Sequence, residues 1–231
     1  MDCVLYADEL KEKRKAINRK LMESGVVIED PDTSYIDESV IIEKGAVILP
    51  NTRITGDSKI GSQSVVGPNT IIENSTVGEN CEIIASVLKE ATVENGVNIG
   101  PFAYLRPKSH IASNAKIGDF VEIKNANIGE GTKVAHLTYI GDADVGSKCN
   151  FGCGTVVVNY DGTKKHRTVI GDNAFIGCNT NLVSPVNVGD FAYTAAGSTI
   201  TKDVPDGALG IARARQENKE GWVDKSGYLK K

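Results

Sequence analysis

From Ile36 to about Ile200 an aliphatic residue returns about every sixth position, and Gly often follows it. One run is Ile36, Ile42, Ile48, Ile54, Ile60, Val66, Ile72; others are Val93, Ile99, Leu105, Ile111, Ile117, Ile123 and Ile170, Ile176, Leu182, Val188. A period of six is too long for one strand face and too short for a helical repeat. It fits a solenoid in which each hexad supplies one short strand and one turn, and three hexads close a triangular coil. The aliphatic side chains then stack inward, coil on coil, at roughly 4.8 Å. Gly61, Gly67, Gly100, Gly118 and Gly141 fall at the corners, where a missing Cβ permits turns and close contacts between coils.

Composition agrees with such a core. Of 231 residues 40% are hydrophobic but only 6% aromatic, with one Trp, so ladders of Ile, Val and Ala are expected rather than interlocking rings. Net charge is -4 with no long basic stripe, which argues against a nucleic-acid partner while leaving room for a local basic pocket. No apolar run approaches membrane-spanning length and the first segment is charged almost throughout, so neither membrane nor secretory leader is expected and the cytoplasm is the default. The five cysteines, Cys3, Cys81, Cys149, Cys153 and Cys178, are odd in number and scattered over a chain large enough to fold without disulfides. Small buried or half-buried side chains are their expected role. Cys149 and Cys153 are close in sequence but lie in adjacent hexads without Cys or His partners to complete a tetrahedron, so no metal is expected.

Three regions follow. Residues 1–30 read as a helical arm and linker: Ala7 to Glu23 lacks Gly and Pro, and Leu10, Ile17 and Leu21 share a face before the stop at Ser24 and Gly25. Residues 31–204 form the solenoid, with five-residue slips at Ile72 to Val77 and Ile83 to Leu88. Its largest interruption, 158–169, separates by about a dozen residues strands that should lie six apart; it reads as an excursion with Asp161-Gly162 at its turn. The hexads stop after Ile200, and residues 205–231 form a tail with too little apolar content to fold alone. The three flat faces of such a prism suit association around a threefold axis, so a homotrimer with sites between subunits is expected.

Polar and bulky residues concentrate from Leu105 to Lys165, spaced by about a coil so that they form a stripe down one prism edge. Arg106, Lys124, Tyr139, Asn150, Asn159, Tyr160 and Lys165 together supply donors for a sugar and an anionic group. His136 is the histidine inside the stripe; a neutral imidazole there suits removal of a proton from a nucleophile near pH 7. Glu122 either orients a ligand or pairs with Lys124, and the residues leave both open. Taken singly, each of these side chains is equally well a solvated surface group; grouped beside the excursion they favour a site.

These segments resemble one family closely, the acetyltransferase half of bacterial bifunctional N-acetylglucosamine-1-phosphate uridyltransferase/glucosamine-1-phosphate N-acetyltransferases. The motifs are LRP at Leu105 to Pro107, FVEIKN at Phe120 to Asn125, HLTYIGDADVG at His136 to Gly146, NFGCGT at Asn150 to Thr155, and NYDGTKKHRTVIGDNAFIGCNT at Asn159 to Thr180. LVSPVNVG at Leu182 to Gly189 and KEGW at Lys219 to Trp222 extend the match over nearly the whole chain. The resemblance implies a left-handed parallel β-helix, trimeric, preceded by one α-helical arm. It implies transfer of acetyl from acetyl-CoA to the 2-amino group of glucosamine 1-phosphate by direct attack, with His136 as general base and no metal. It places the sugar phosphate on Arg106, Lys124, Tyr139 and Lys165, the sugar on Asn150 and Asn159, and Tyr160 at the reacting centre. Acetyl-CoA falls to Cys153, Cys178, Ala196, Lys202 and Arg213, partly across a subunit boundary. The pathway implied is synthesis of UDP-N-acetylglucosamine for peptidoglycan and related envelope polymers. No segment resembles the nucleotide-binding loop of the uridyltransferase domain, so that activity is not expected of this chain. Cys153 and Cys178 depart from the family's usual Ala and Ser, which implies altered thiol sensitivity near the CoA site.

Other readings on the same prism are an acyltransferase for a different acceptor, a γ-type carbonic anhydrase, and a scaffold without chemistry. The second needs three imidazoles around a metal, and His110, His136 and His166 do not show that pattern.

Overall fold

The computed structural model describes residues 2–226 and consists of a parallel β-solenoid behind one long helix. Among those residues the short strands form three parallel sheets of eleven, ten and nine strands, and strands pair with the third strand along the chain, so three strands make one coil, except that the last strand of the eleven pairs with the strand two before it. We call the sheets A, B and C in that order.

The strands are two to four residues long, and most turn one aliphatic side chain inward, giving three ladders. In sheet A, Ile83, Ile99, Ile117, Val134, Phe151 and Ile176 are in register. Sheet B stacks Ile54, Ile72, Leu88, Leu105, Ile123 and Ile140, and sheet C stacks Ile111, Ile128, Val145, Ile170 and Val188. These residues are buried, and a second inward row of Ala, Ser, Thr and Cys fills the corners beside them. Cys81 and Cys149 belong to that row; burial raises both thiols, and each is turned to a backbone carbonyl at 3.0 Å. Ile117 lies wholly buried between Ile99 and Val134. Ile117→Ala is expected to lower stability by about 2–5 kcal/mol, because stacked coils cannot collapse into the cavity; urea unfolding should show a lower midpoint at unchanged slope.

The corners divide their work. Gly67 and Gly100 adopt left-handed backbone, whereas at Gly118 a methyl would collide with the Ala135 backbone of the next coil. Most left-handed corners are taken by other residues, often Asn, as at Asn51, Asn69, Asn74 and Asn80, whose short polar side chain tolerates that region. Phe102, Phe120 and Leu137 also adopt it, which for bulky residues is uncommon.

Helix α1 spans Cys3–Glu23, starting four residues before the expected Ala7 because Asp2 caps it, accepting from the N–H groups of Val4 and Leu5 at 2.9 and 3.3 Å. Ile17 and Leu21 pack on the core and close the first coil; Leu10, expected on the same face, is half exposed. Buried Asn18 ties the helix to the chain entering the coil by donating to the carbonyls of Pro31 and Ser34 at 2.8 and 3.0 Å. At the other end the coiling runs past Ile200: Val204 bridges to Val188, and strand Leu209–Gly210 pairs with Tyr193–Thr194. Beyond it the chain is exposed up to the four-residue helix Trp222–Lys225, and the last part of the tail lies outside the described residues. No helix among the described residues is long and apolar enough to cross a membrane.

Candidate active site

The candidate residues do not form one stripe. They surround sheet B, on its face and on its two edges.

The edge between sheets A and B is a column. Asp119 and His136 are register partners in adjacent coils, and the register from Val134 to Phe151, Ile176 and Thr194 continues that position through Cys153, Cys178 and Ala196. Turn hydrogen bonds lock the coils together: Leu137 N–H donates to Asp119 O at 2.9 Å, Asn179 to Cys153 O and Gly197 to Cys178 O, both at 2.8 Å. The Arg213 side chain lies against Gly197, so it joins the lower end of this column. Beside its upper end Phe102 and Phe120 stack with centroids 5.3 Å apart, and Leu137 occupies their corner position in the next coil; all three are exposed.

His136 projects from this edge with its Nδ1 2.5 Å from Asp119 Oδ1. The imidazole hydrogen bond is the main cause that holds the Asp119 carboxyl below its ordinary value. A carboxylate on Nδ1 fixes that nitrogen as the donor and leaves Nε2 with the free lone pair, aimed away from Asp119. Sequence reading missed Asp119. Its signal is arithmetic: it precedes His136 by 17 residues, one coil.

The face of sheet B carries Arg106, Lys124 and Tyr139. Arg106 and Lys124 follow the register pair Leu105 and Ile123, so their side chains sit one coil apart. Glu122 pairs with Arg106 at 2.8 Å, which answers the question left open by sequence: its partner is the arginine, not Lys124. That bond is the leading cause of the raised Arg106 value. Tyr139 lies across Gly141, where any Cβ would strike its hydroxyl and the Asn159 amide. Three residues of chain separate them, so at about 3.3 Å per residue Tyr139 is within about 10 Å of His136 around the corner.

The edge between sheets B and C is organised by Asp142, 7% exposed, which sequence reading also missed. Its carboxylate accepts from Asn125 Nδ2 at 2.5 Å, from Lys124 Nζ at 3.4 Å and from Asn159 Nδ2. Burial alone would raise this carboxyl; the amide donors and the lysine charge outweigh it, and the net direction is down. The excursion leaves from this edge. Asp161 orders its tip by accepting from the Thr163 and Lys164 N–H groups at 2.8 Å and pairing with His166 Nε2 at 2.6 Å, and these bonds lower its carboxyl. Tyr160 and Lys165 bridge as an antiparallel pair and are exposed; among the described residues Lys165 makes no ion pair. Arg167 staples the returning strand through both Asp144 oxygens at 2.5 Å and through the Asn125 and Ala143 carbonyls at 3.1 Å. Lys202 falls on this same edge, two residues after Ile200, away from the other candidate cofactor residues.

Asn150 stands apart. It pairs with Lys133 and Phe175 in sheet A and projects from a different face of the prism.

A family model described as bacterial transferase hexapeptide (six repeats) matches residues 167–202. Bifunctional protein GlmU of Clostridium perfringens is 60% identical over 212 residues, which are 92% of this chain and 47% of that protein. The same protein of Clostridium botulinum is 57% identical over 218 residues, 94% of this chain and 48% of that one. The chain thus spans about half the length of the curated relatives it matches. Among solved structures, that of an Arabidopsis UDP-N-acetylglucosamine acyltransferase aligns with a TM-score of 0.69 at 19% identity, over 85% of this chain and 76% of that one, a likeness of fold. With the hexapeptide coils and this identity together, the chain is a homologue of GlmU, matched to its hexapeptide-repeat acetyltransferase portion.

Proposed function

We propose that this chain is a glucosamine-1-phosphate N-acetyltransferase that uses acetyl-CoA and works as a homotrimer in the cytoplasm. The observation that carries the reading is the Asp119 and His136 pair at one edge of a face that also bears Tyr139, Lys124 and Arg106, in a chain 57% identical to GlmU.

An amine protonated in water has no lone pair with which to attack a thioester, so the acceptor needs a base at its nitrogen. His136 Nε2 takes that proton while Asp119 stabilises the cation formed on the ring. The nitrogen attacks the acetyl carbon, negative charge grows on the carbonyl oxygen, and the CoA sulfur leaves as thiolate and is protonated. A donor for the oxygen is the Cys153 N–H, which among the described residues has no acceptor, whereas the Gly154 N–H is committed to Leu137 O at 3.1 Å. The sugar lies across sheet B, its amine toward His136 and its phosphate toward Arg106, Lys124 and Lys165, with Asn159 on its hydroxyls and Tyr160 over the reacting end. The small edge at Cys153, Cys178 and Ala196 receives acetyl-CoA, with Arg213 and Lys202 as phosphate partners.

The trimer follows from the faces. Asn150 and Arg106 project from different sides of one prism, so no single chain presents both to one ligand. An adjacent prism that brings its own face against sheet B completes the set. This geometry also separates Lys202 from Arg213, so one acetyl-CoA reaches both only across two chains.

The test compares acetyl-CoA turnover with glucosamine 1-phosphate and with glucosamine. Loss of the phosphate is expected to lower kcat/KM by about 100-fold or more, because the cations gathered for it lose their anion. Equal rates would remove the phosphate role of Arg106 and Lys124; no turnover with either sugar by the folded trimer would sink the assignment.

A further inference from the structure

Five cysteines occupy three kinds of place, and two of them share one turn column whose thiols take no part in the acetyl transfer proposed above. Cys81 and Cys149 are buried, with their thiols turned to carbonyls. Cys3 lies at the start of α1, at the other end of the solenoid. Cys153 and Cys178 occupy the same turn position in adjacent coils, as the register of Phe151 with Ile176 and the bond from Asn179 N–H to Cys153 O require. Coil spacing puts their Cα atoms roughly 4.8 Å apart, inside the window of about 4.4–6.8 Å that a disulfide spans. The Cys178 thiol is directed back at the turn that holds Cys153: a methyl placed on Gly152 would lie 2.8 Å from its Sγ. The same methyl would meet the Cys178 backbone N at 2.4 Å, so glycine at 152 is what lets the two turns pack this closely. Cys153 is half-buried, Cys178 is exposed, and among the described residues neither thiol has a hydrogen-bond partner.

We propose that Cys153 and Cys178 form a dithiol site which a low-molecular-weight disulfide closes into a bridge across two coils. The Cys178 thiolate attacks one sulfur of the small disulfide and expels a thiolate, leaving a mixed disulfide. The Cys153 thiolate then attacks the Cys178 sulfur and expels the second small thiolate. The two protons lost by the cysteines go to the two thiolates released, so one protein disulfide forms as one small disulfide is reduced. The bridge draws the turn at residues 152–154 toward the next coil, and with it the Cys153 N–H one coil from His136. Bridging therefore switches acetyl transfer off until a reductant reopens it. The bridge stands on geometry alone, while its effect on turnover rests on the proposed function.

The experiment uses the full chain carrying Cys3→Ser, incubated with oxidised glutathione and freed of it before measurement. The expected product is lighter by two hydrogen atoms, carries no glutathione, and yields peptides joined through Cys153 and Cys178. Cys153→Ser and Cys178→Ser should each retain glutathione on the remaining partner. A chain that keeps glutathione on both cysteines at once, or that is not oxidised at either, overturns the site. Formation of acetylated sugar should fall at least tenfold in the bridged protein and return on reduction; unchanged turnover overturns the switch. A reduced protein inactive on both substrates would sink the acetyl-transfer reading instead, and the mass would still decide the bridge.

Discussion

His136→Ala lowers acetyl transfer to glucosamine 1-phosphate by about 10²–10⁴-fold in kcat, with KM for the sugar changed little. The size follows from what is removed, a positioned group that takes a proton as the bond forms. The selectivity for kcat follows from its place, since the cations proposed to hold the phosphate lie on the face of sheet B and His136 lies on its edge. Asp119→Ala tests the pair from its other side. Asp119 acts through the imidazole, fixing which nitrogen carries the lone pair, so its loss should lower kcat by about 10- to 100-fold. The His136 side chain is exposed and that of Asp119 half-buried in a surface pair, so neither variant should move the thermal midpoint or the trimer content much. A fall in kcat without a fall in stability separates positioning from structural damage. Activity of His136→Ala within about threefold of the parent would place the base elsewhere.

The fold was legible because the property that builds it is local. Most inward Ile or Val residues follow their predecessor by six residues and some by five, and Ile99, Leu105, Ile111, Ile117 and Ile123, which the spacing names, stand in the ladders of sheets A, B and C. The hand of the coil is carried by the family resemblance, since hexads alone fit either hand. The site was only half legible, because its partners meet across coils and coil length varies. Arg106 meets Glu122 after 16 residues, His136 meets Asp119 after 17, and Arg167 meets Asp144 after 23 because the excursion intervenes. A reader counting hexads sees His136 and Lys124 as isolated polar residues and does not see the carboxylate each one faces. The single stripe expected along one edge fails for the same reason. Tyr139 is three residues past His136, half a hexad, and half a hexad is enough to move from an edge to a face. Sequence named the cations and the proposed base; the carboxylates that pair with them required the register.

Asp142→Ala is expected to damage stability and substrate binding together. The Asp142 carboxylate is the common acceptor for Asn125, Asn159 and Lys124 at a corner closed to water, so alanine leaves two amides and an ammonium facing an empty polar site. Removal of such a hub should cost about 2–4 kcal/mol. Lys124 and Asn159 also lose what orients them toward the sugar phosphate, so KM should rise by about tenfold or more while kcat falls less. The pH dependence identifies the cause. Asp142 is held below the ordinary aspartate value of 3.8, so its contribution is complete above 3.8 and is lost as pH falls through the lower folded value. The stability gap between parent and Asp142→Ala should therefore be wide at neutral pH and should narrow progressively as pH falls below 3.8, read by urea unfolding across that range. Asp142→Asn separates charge from shape. Its amide keeps the volume and one acceptor but turns an N–H toward the Asn125 amide and removes the charge facing Lys124, so its stability should fall between parent and alanine and its pH dependence should flatten as alanine's does. A gap that stays constant from neutral to acid pH would show that the corner is held by packing, and that Lys124 and Asn159 owe their positions to something other than this carboxylate.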